Sequence, residues 1–242
     1  MKKLSLVLLI FLFFTGFAAA DFYVKQNTHT DAYNMMGRDY PTKDIVSETW
    51  LGKDRFATVS ENTTIIMDAN EKVVYVINHQ EKNYVEMPLP FKIENYLGEQ
   101  AKQARMMMSG MTATVTPTGE QKKIGEWNCQ GYDIKMSMGG MMEMDMKVWA
   151  TQDVPFDLDQ VRKLRKISME LSGTMASDQL LKEFEKIDGF QVASEIEVKV
   201  MGQSINTTSK VVEIQKKSPP AGIYQVPEGY TKTDTLPMQQ GM

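Results

Sequence analysis

The sequence predicts an α+β domain in which an antiparallel sheet packs beneath about three helices. Three observations lead there. Many short segments rich in Val, Ile, Thr and Tyr alternate with period two. Three other stretches, 91–109, 157–171 and 178–188, repeat their apolar residues with helical period. Tight turns of Gly, Asn and Asp join neighbouring strand segments, as antiparallel pairing requires.

In chain order, 22–30, 45–52, 54–61, 63–68, 72–78 and 82–87 read as strands. "TWLGKDRFATV" places two of them around Gly52-Lys53-Asp54. "KVVYVINHQEKNYVEMP" reads as a hairpin around Asn78 to Glu81. Pro88 and Pro90 end this run. Ile93, Leu97, Ala101, Ala104 and Met108 then recur on one helical stripe. Strand signals return from Thr112 to Thr151. In 157–171, Leu158, Val161, Leu164, Ile167 or Ser168, and Leu171 share a stripe. In 178–188, Leu180, Leu181, Phe184 and Ile187 do so, with Ser177 or Asp178 as cap and Gly189 closing the helix. A hairpin follows from Phe190 to about Gln215. Gly202-Gln203 reads as its two-residue turn, which pairs Met201 with Ser204, Val200 with Ile205 and Val198 with Thr207.

The first residues, MKKLSLVLLIFLFFTGFAAA, combine Lys2 and Lys3, an apolar run and the small-residue site Ala18-Ala19-Ala20. This reads as a secretory signal peptide cleaved before Asp21. Residues 1–20 are then the signal, 21–230 one domain and 231–242 a loose tail. No later segment reaches membrane-spanning length. The chain has 242 residues and a formal net charge of −4, and no basic stripe interleaves with aromatics, so no nucleic-acid partner is indicated. A single cysteine, Cys129, allows no internal disulfide, and the fold must rest on its core.

"MSMGGMMEMDMKVW" holds six methionines in fourteen residues, and ten of the chain's 20 methionines lie between Met106 and Met146. Thioethers select Cu(I). Methionine also fills irregular apolar space and suits adaptable binding surfaces. Parity decides between them. Tyr132, Ile134, Met136 and Met138 fall on one face of the first strand; Met142, Met144, Met146 and Val148 fall on one face of the second. A three-residue loop, Gly139-Gly140-Met141, pairs Met138 with Met142, Met136 with Met144 and Ile134 with Met146. A two-residue turn would set Glu143 among the apolar residues. The expected lining is therefore Ile134, Met136, Met138, Met142, Met144 and Met146, covered by Met107 and Met108 of the 91–109 helix. A copper site would use Met136, Met138, Met142 and Met144. His29 and His79, the only histidines, lie far from them in sequence, so the apolar lining is preferred and no cofactor is expected.

The order of elements, together with "TWLGKDRF", "IIMDANEKVVYVINHQEKNYVEMP", "KIGEWNCQGYDIKM", "KVWATQDVP" and "IYQVPEGY", resembles the LolA/LolB-like superfamily of bacterial periplasmic lipoprotein carriers. It is more similar still to an uncharacterised branch of that group, described only as a domain of unknown function. The resemblance covers most of residues 21–232. It implies a strongly curved antiparallel sheet, an incomplete barrel, covered by helices and enclosing an apolar cavity. It also implies a periplasmic or secreted protein of the bacterial envelope. The expected partner is an apolar small molecule or the acyl chain of a lipid or lipoprotein.

Other candidates have simpler readings. Cys129 lies in a strand and is expected to be buried and inert. His79 is expected to be a solvated turn residue. Asp153, Asp157 and Asp159 lack the Gly and terminal Glu of a calcium loop and read as helix entry and capping. Asn62-Thr63-Thr64 and Asn206-Thr207-Thr208 match glycosylation acceptors, which a bacterial periplasm would leave unmodified. No nucleophile elbow, phosphate loop or zinc helix motif is present, and no enzyme is expected. The sequence thus supports a non-enzymatic binder of an apolar ligand, with a Met-rich Cu(I)-handling protein, or an envelope protein that binds nothing small, as the alternatives.

Overall fold

The computed structural model describes residues 21–35, 37–89, 110–138, 142–171, 178–200 and 202–234. Its strands are β1 (Asp21–Thr30), β2 (Tyr33–Met35), β3 (Arg38–Tyr40), β4 (Lys43–Leu51), β5 (Arg55–Val59), β6 (Thr63–Asp68), β7 (Val73–Asn78) and β8 (Asn83–Pro88). They continue as β9 (Met111–Ile124), β10 (Trp127–Met138), β11 (Met142–Thr151), β12 (Phe190–Val200), β13 (Gln203–Lys217) and β14 (Thr231–Lys232). Two helices, α1 (Leu158–Leu171) and α2 (Asp178–Glu185), lie between β11 and β12.

Twelve strands form one open sheet in the order β14-β8-β7-β6-β5-β4-β1-β13-β12-β11-β10-β9, while β2 and β3 pair separately. Two antiparallel meanders, β4 to β8 and β9 to β13, meet at β1. That strand pairs with β4 on one side and with β13 on the other. Among the described strands, only β14 runs parallel to its neighbour, β8. The boundary expected at residue 230 falls just before β14.

The α+β class is overturned: the protein is mostly β, a single open sheet rather than a curved sheet under about three helices. Among the described residues there are two helices, and the helix expected at 91–109 lies outside them. Strand length is the physical reason. β9, β10 and β13 run to 14, 12 and 15 residues, far beyond the usual strand of about 5–6. Part of the apolar surface is covered by irregular chain. Ile223, Tyr224, Val226 and Tyr230 of the segment after β13 pack on Ala57, Ile66 and Ile77. The opposite face of these strands buries Met67, Val74, Val85 and Met87.

Two turns in the first meander share one design. Asp68 accepts hydrogen bonds from the N–H groups of Asn70 and Glu71, and Asn78 accepts them from Gln80 and Glu81. Each loop then closes through a left-handed lysine, Lys72 at φ 53° and Lys82 at φ 50°. In the long hairpin the turn differs from the expected one. Val200 pairs with Gln203 and Val198 with Ile205, and Gly202 takes φ 79° before β13 begins. The slip is two residues, which leaves every side chain on its face, and so the apolar pattern alone does not detect it.

Candidate functional site

The methionine hairpin has the expected register. Met138 lies opposite Met142, Met136 opposite Met144 and Ile134 opposite Met146. Neighbouring strands extend these rows across the sheet. Ala113, Met136, Met144, Val198 and Ile205 form one, and Val115, Ile134, Met146 and Ile196 another. The helix α2 docks on this face. Ile187, just past its end, packs with buried Val115, Tyr132, Ile134, Val148 and Ala150, and Phe184, Met136 and Met146 join at the periphery. Ile134 is 1% exposed and belongs to the packed floor. Met142 and Met144 are half-buried. Met107 and Met108 lie outside the described residues.

Polar contacts fix the helix. Glu183 Oε2 accepts the Val115 N–H at 2.8 Å, so α2 caps the exposed edge of β9. Lys186 bonds the same carboxylate at 2.7 Å, and these two contacts hold Glu183 below the usual carboxylate range. After the helix, the Asp188 N–H donates to the Tyr132 hydroxyl at 3.2 Å. The Asp188 carboxylate receives Arg162 of α1 at 3.1 Å and also bonds Gln152. Arg162 is also paired with Asp159, and the two carboxylates push the guanidinium above its ordinary value. Gly189 follows at φ 111°, where a Cβ would stand 2.4 Å from the Thr151 carbonyl oxygen. The chain can turn into β12 there only through glycine.

Between α1 and α2 lies a cleft of about 490 Å³. Leu181, Phe184 and Ile187 supply its apolar wall; Arg162, Lys163, Lys166 and Glu185 supply its rim. Phe184 and Ile187 face both ways, contributing to the cleft and to the methionine-bearing floor. The 178–188 stripe places three of these residues, Leu181, Phe184 and Ile187, together on one apolar face. That they form a cavity wall depends on where α1 sits, which local periodicity does not encode.

The remaining candidates resolve as structure. Cys129 is a buried free thiol, 3% exposed, and burial raises its pKa. Asp157 caps α1 by accepting the Asp159 N–H at 2.9 Å, and Asp153 clamps Asn128. His79 differs from the expected solvated residue. It is half-buried, with Nε2 2.7 Å from Thr64 Oγ1 and Nδ1 2.9 Å from the Tyr230 hydroxyl. The tail that reaches it is 151 residues distant in sequence.

Fold and cleft together define a mostly β, single-sheet domain with a helix pair on one flank. The chain belongs to the family described as Domain of unknown function (DUF4412), whose model matches residues 32–230. No match is found among curated proteins. No helix among the described residues is long and apolar enough to cross a membrane.

Proposed function

We propose that the protein is an exported, non-enzymatic carrier or receptor that holds an apolar chain in the cleft between α1 and α2. The carrying observation is the cleft itself. Its volume lies in the range of small-ligand sites, and its wall of Leu181, Phe184 and Ile187 continues into the methionine-bearing floor. Methionine suits such a floor because its unbranched thioether adapts to ligands of different shape. The likeness of "TWLGKDRF" and "IYQVPEGY" to lipoprotein carriers points to an acyl chain of a lipid or lipoprotein as the ligand, and to the bacterial periplasm as the place. The basic start, apolar run and Ala18-Ala19-Ala20 support export.

An apolar fluorescent probe tests this reading. Leu181→Asp places a carboxylate in the half-buried wall of the cleft and should abolish probe binding, while the thermal melt remains cooperative. Undiminished binding in that variant would remove the cleft from the account.

A second reading has its own observation. Met136 pairs with Met144 and Met138 with Met142 on adjacent strands, the backbone placement that a thioether site for Cu(I) would need. Met144→Leu separates the readings, since it keeps the bulk and removes the sulfur. Tight Cu(I) binding in the wild type that is lost in Met144→Leu would favour copper. An unchanged probe affinity and no tight copper binding favour the apolar ligand.

A further inference from the structure

The face of the sheet opposite the methionines carries a second cavity, organised around one cross-strand row. Val46 lies opposite Asn27, Asn27 opposite Lys210, Lys210 opposite Ala193, Ala193 opposite Trp149 and Trp149 opposite Gly131. Alternation along β11 puts Trp149 on the side of Asp145 and Lys147, away from Met144 and Met146. The space over this row is a trough of about 610 Å³. The end of β9, Lys122 to Ile124, and Gly125 of the following turn border it at one end and Asp44, Ile45 and Val46 of β4 at the other. Small residues make room for it. A Cβ at Gly131 would stand 2.8 Å from Thr118 Oγ1 and 3.0 Å from the Trp149 ring, so glycine lets the indole lie against the strand. Ala193, opposite the indole on β12, adds only a methyl group to the floor.

Three features mark the trough as more than a fold of the surface. First, Val46 and Val212 line it at 49% and 46% exposure, two of the three large hydrophobic side chains that the described residues leave in water. Val212 reaches this position through a β-bulge: Lys25 pairs with Glu213 and Gln26 with Val211, which leaves Val212 without an opposite residue. Second, Trp149 is 5% exposed, yet its Nε1–H has no acceptor among the described residues. Buried donors are nearly always paired, so this one stands ready for an acceptor. Third, Lys122, Lys123 and Lys210 border the space, and none forms an ion pair with a described residue. Lys122 Nζ lies 5.2 Å and Lys147 Nζ 5.3 Å from the indole centroid; Lys147 is tied to Glu120, so Lys122 is the arm free to move. Of the two carboxylates in the lining, Asp44 is engaged by His29 at 2.7 Å, and Glu195 lies opposite Lys147.

We propose that this trough is a second binding site, for a small organic anion with an apolar body: a carboxylate, sulfonate or phosphate monoester that carries an alkyl or aryl group. The apolar body rests on Val46, Val212 and the indole. The anionic head sits among Lys122, Lys123 and Lys210 and draws the Lys122 arm off the ring, which opens the Trp149 N–H to an anionic oxygen. The site is separate from the α1–α2 cleft and stands without it.

Titration of the full mature chain with octanoate and with octanol, followed by calorimetry, tests the site. Octanoate should bind the wild type, and octanol at least about tenfold more weakly. Lys122→Glu and Lys210→Glu, both at exposed positions, should each weaken octanoate by about tenfold, while Leu181→Asp leaves it unchanged. Equal binding of octanol would overturn the anion preference. No octanoate binding, or binding that survives both charge reversals, would overturn the site. Loss in Leu181→Asp alone would assign the anion to the cleft and overturn the trough.

Discussion

Lys72 and Lys82 close their turns with φ values of 53° and 50°. A side chain in that region is strained by roughly 1–2 kcal/mol, and glycine gives back part of the difference in unfolded-state entropy. Lys82→Gly should therefore raise stability by roughly 0.5–1 kcal/mol, measured by urea unfolding. A loss would mean that the lysine side chain contributes a contact that outweighs the strain. His29 gives a second residue-scale expectation. Its Nδ1 lies 2.7 Å from Asp44 and its Nε2 3.3 Å from Asp31, and these carboxylates raise its pKa. The folded protein thus holds this proton more tightly than the unfolded chain. The resulting stability is present in full below the unfolded value of about 6.5 and disappears as pH rises through the raised folded value. The melting temperature of the wild type should fall across that window relative to His29→Gln. Parallel pH profiles for the two proteins would contradict this.

At the scale of elements, the segment from Pro219 to Tyr230 acts as a strap. Tyr224 lies under the Arg55 guanidinium, 4.0 Å from its ring centroid, and its hydroxyl donates to Asp21, which is 8% exposed. Burial and the Asp21 carboxylate both raise the Tyr224 pKa, so the phenol stays protonated and remains a donor. Tyr224→Phe leaves that carboxylate short of a partner and should cost roughly 1–3 kcal/mol. A double-mutant cycle with Asp21→Asn measures it, and a coupling near zero would show that the pair does not fasten the strap. The strap also marks where sequence reading stops. "IYQVPEGY" is recognisable as a motif, but its partners Asp21, Arg55 and His79 are far away along the chain, and no periodicity connects them. The β10–β11 register was legible because a one-residue error would put Glu143 on the apolar face. The β12–β13 register was not, because a two-residue error leaves every face unchanged.

At the scale of the whole molecule, two meanders joined at β1 give a sheet whose two faces differ in chemistry. One face carries methionine rows under α2; the other carries Trp149, lysines and exposed valines. Individual elements of the first face could be read from parity, and so could the apolar stripe of α2. The excess of sheet over helix could not, because alternation marks that a strand is present without fixing how far it continues, and β9, β10 and β13 run to 14, 12 and 15 residues. The cleft likewise depends on the placement of α1, fixed by Arg162 on Asp188 and by Lys163 on Asp54 at 3.2 Å. The central claim is that this cleft carries an apolar ligand. Native mass spectrometry of protein purified from its native source tests it most directly. The account predicts an added mass corresponding to one lipid or other apolar molecule, absent from Leu181→Asp prepared in the same way. A bare polypeptide mass, or an adduct of copper alone, would contradict it.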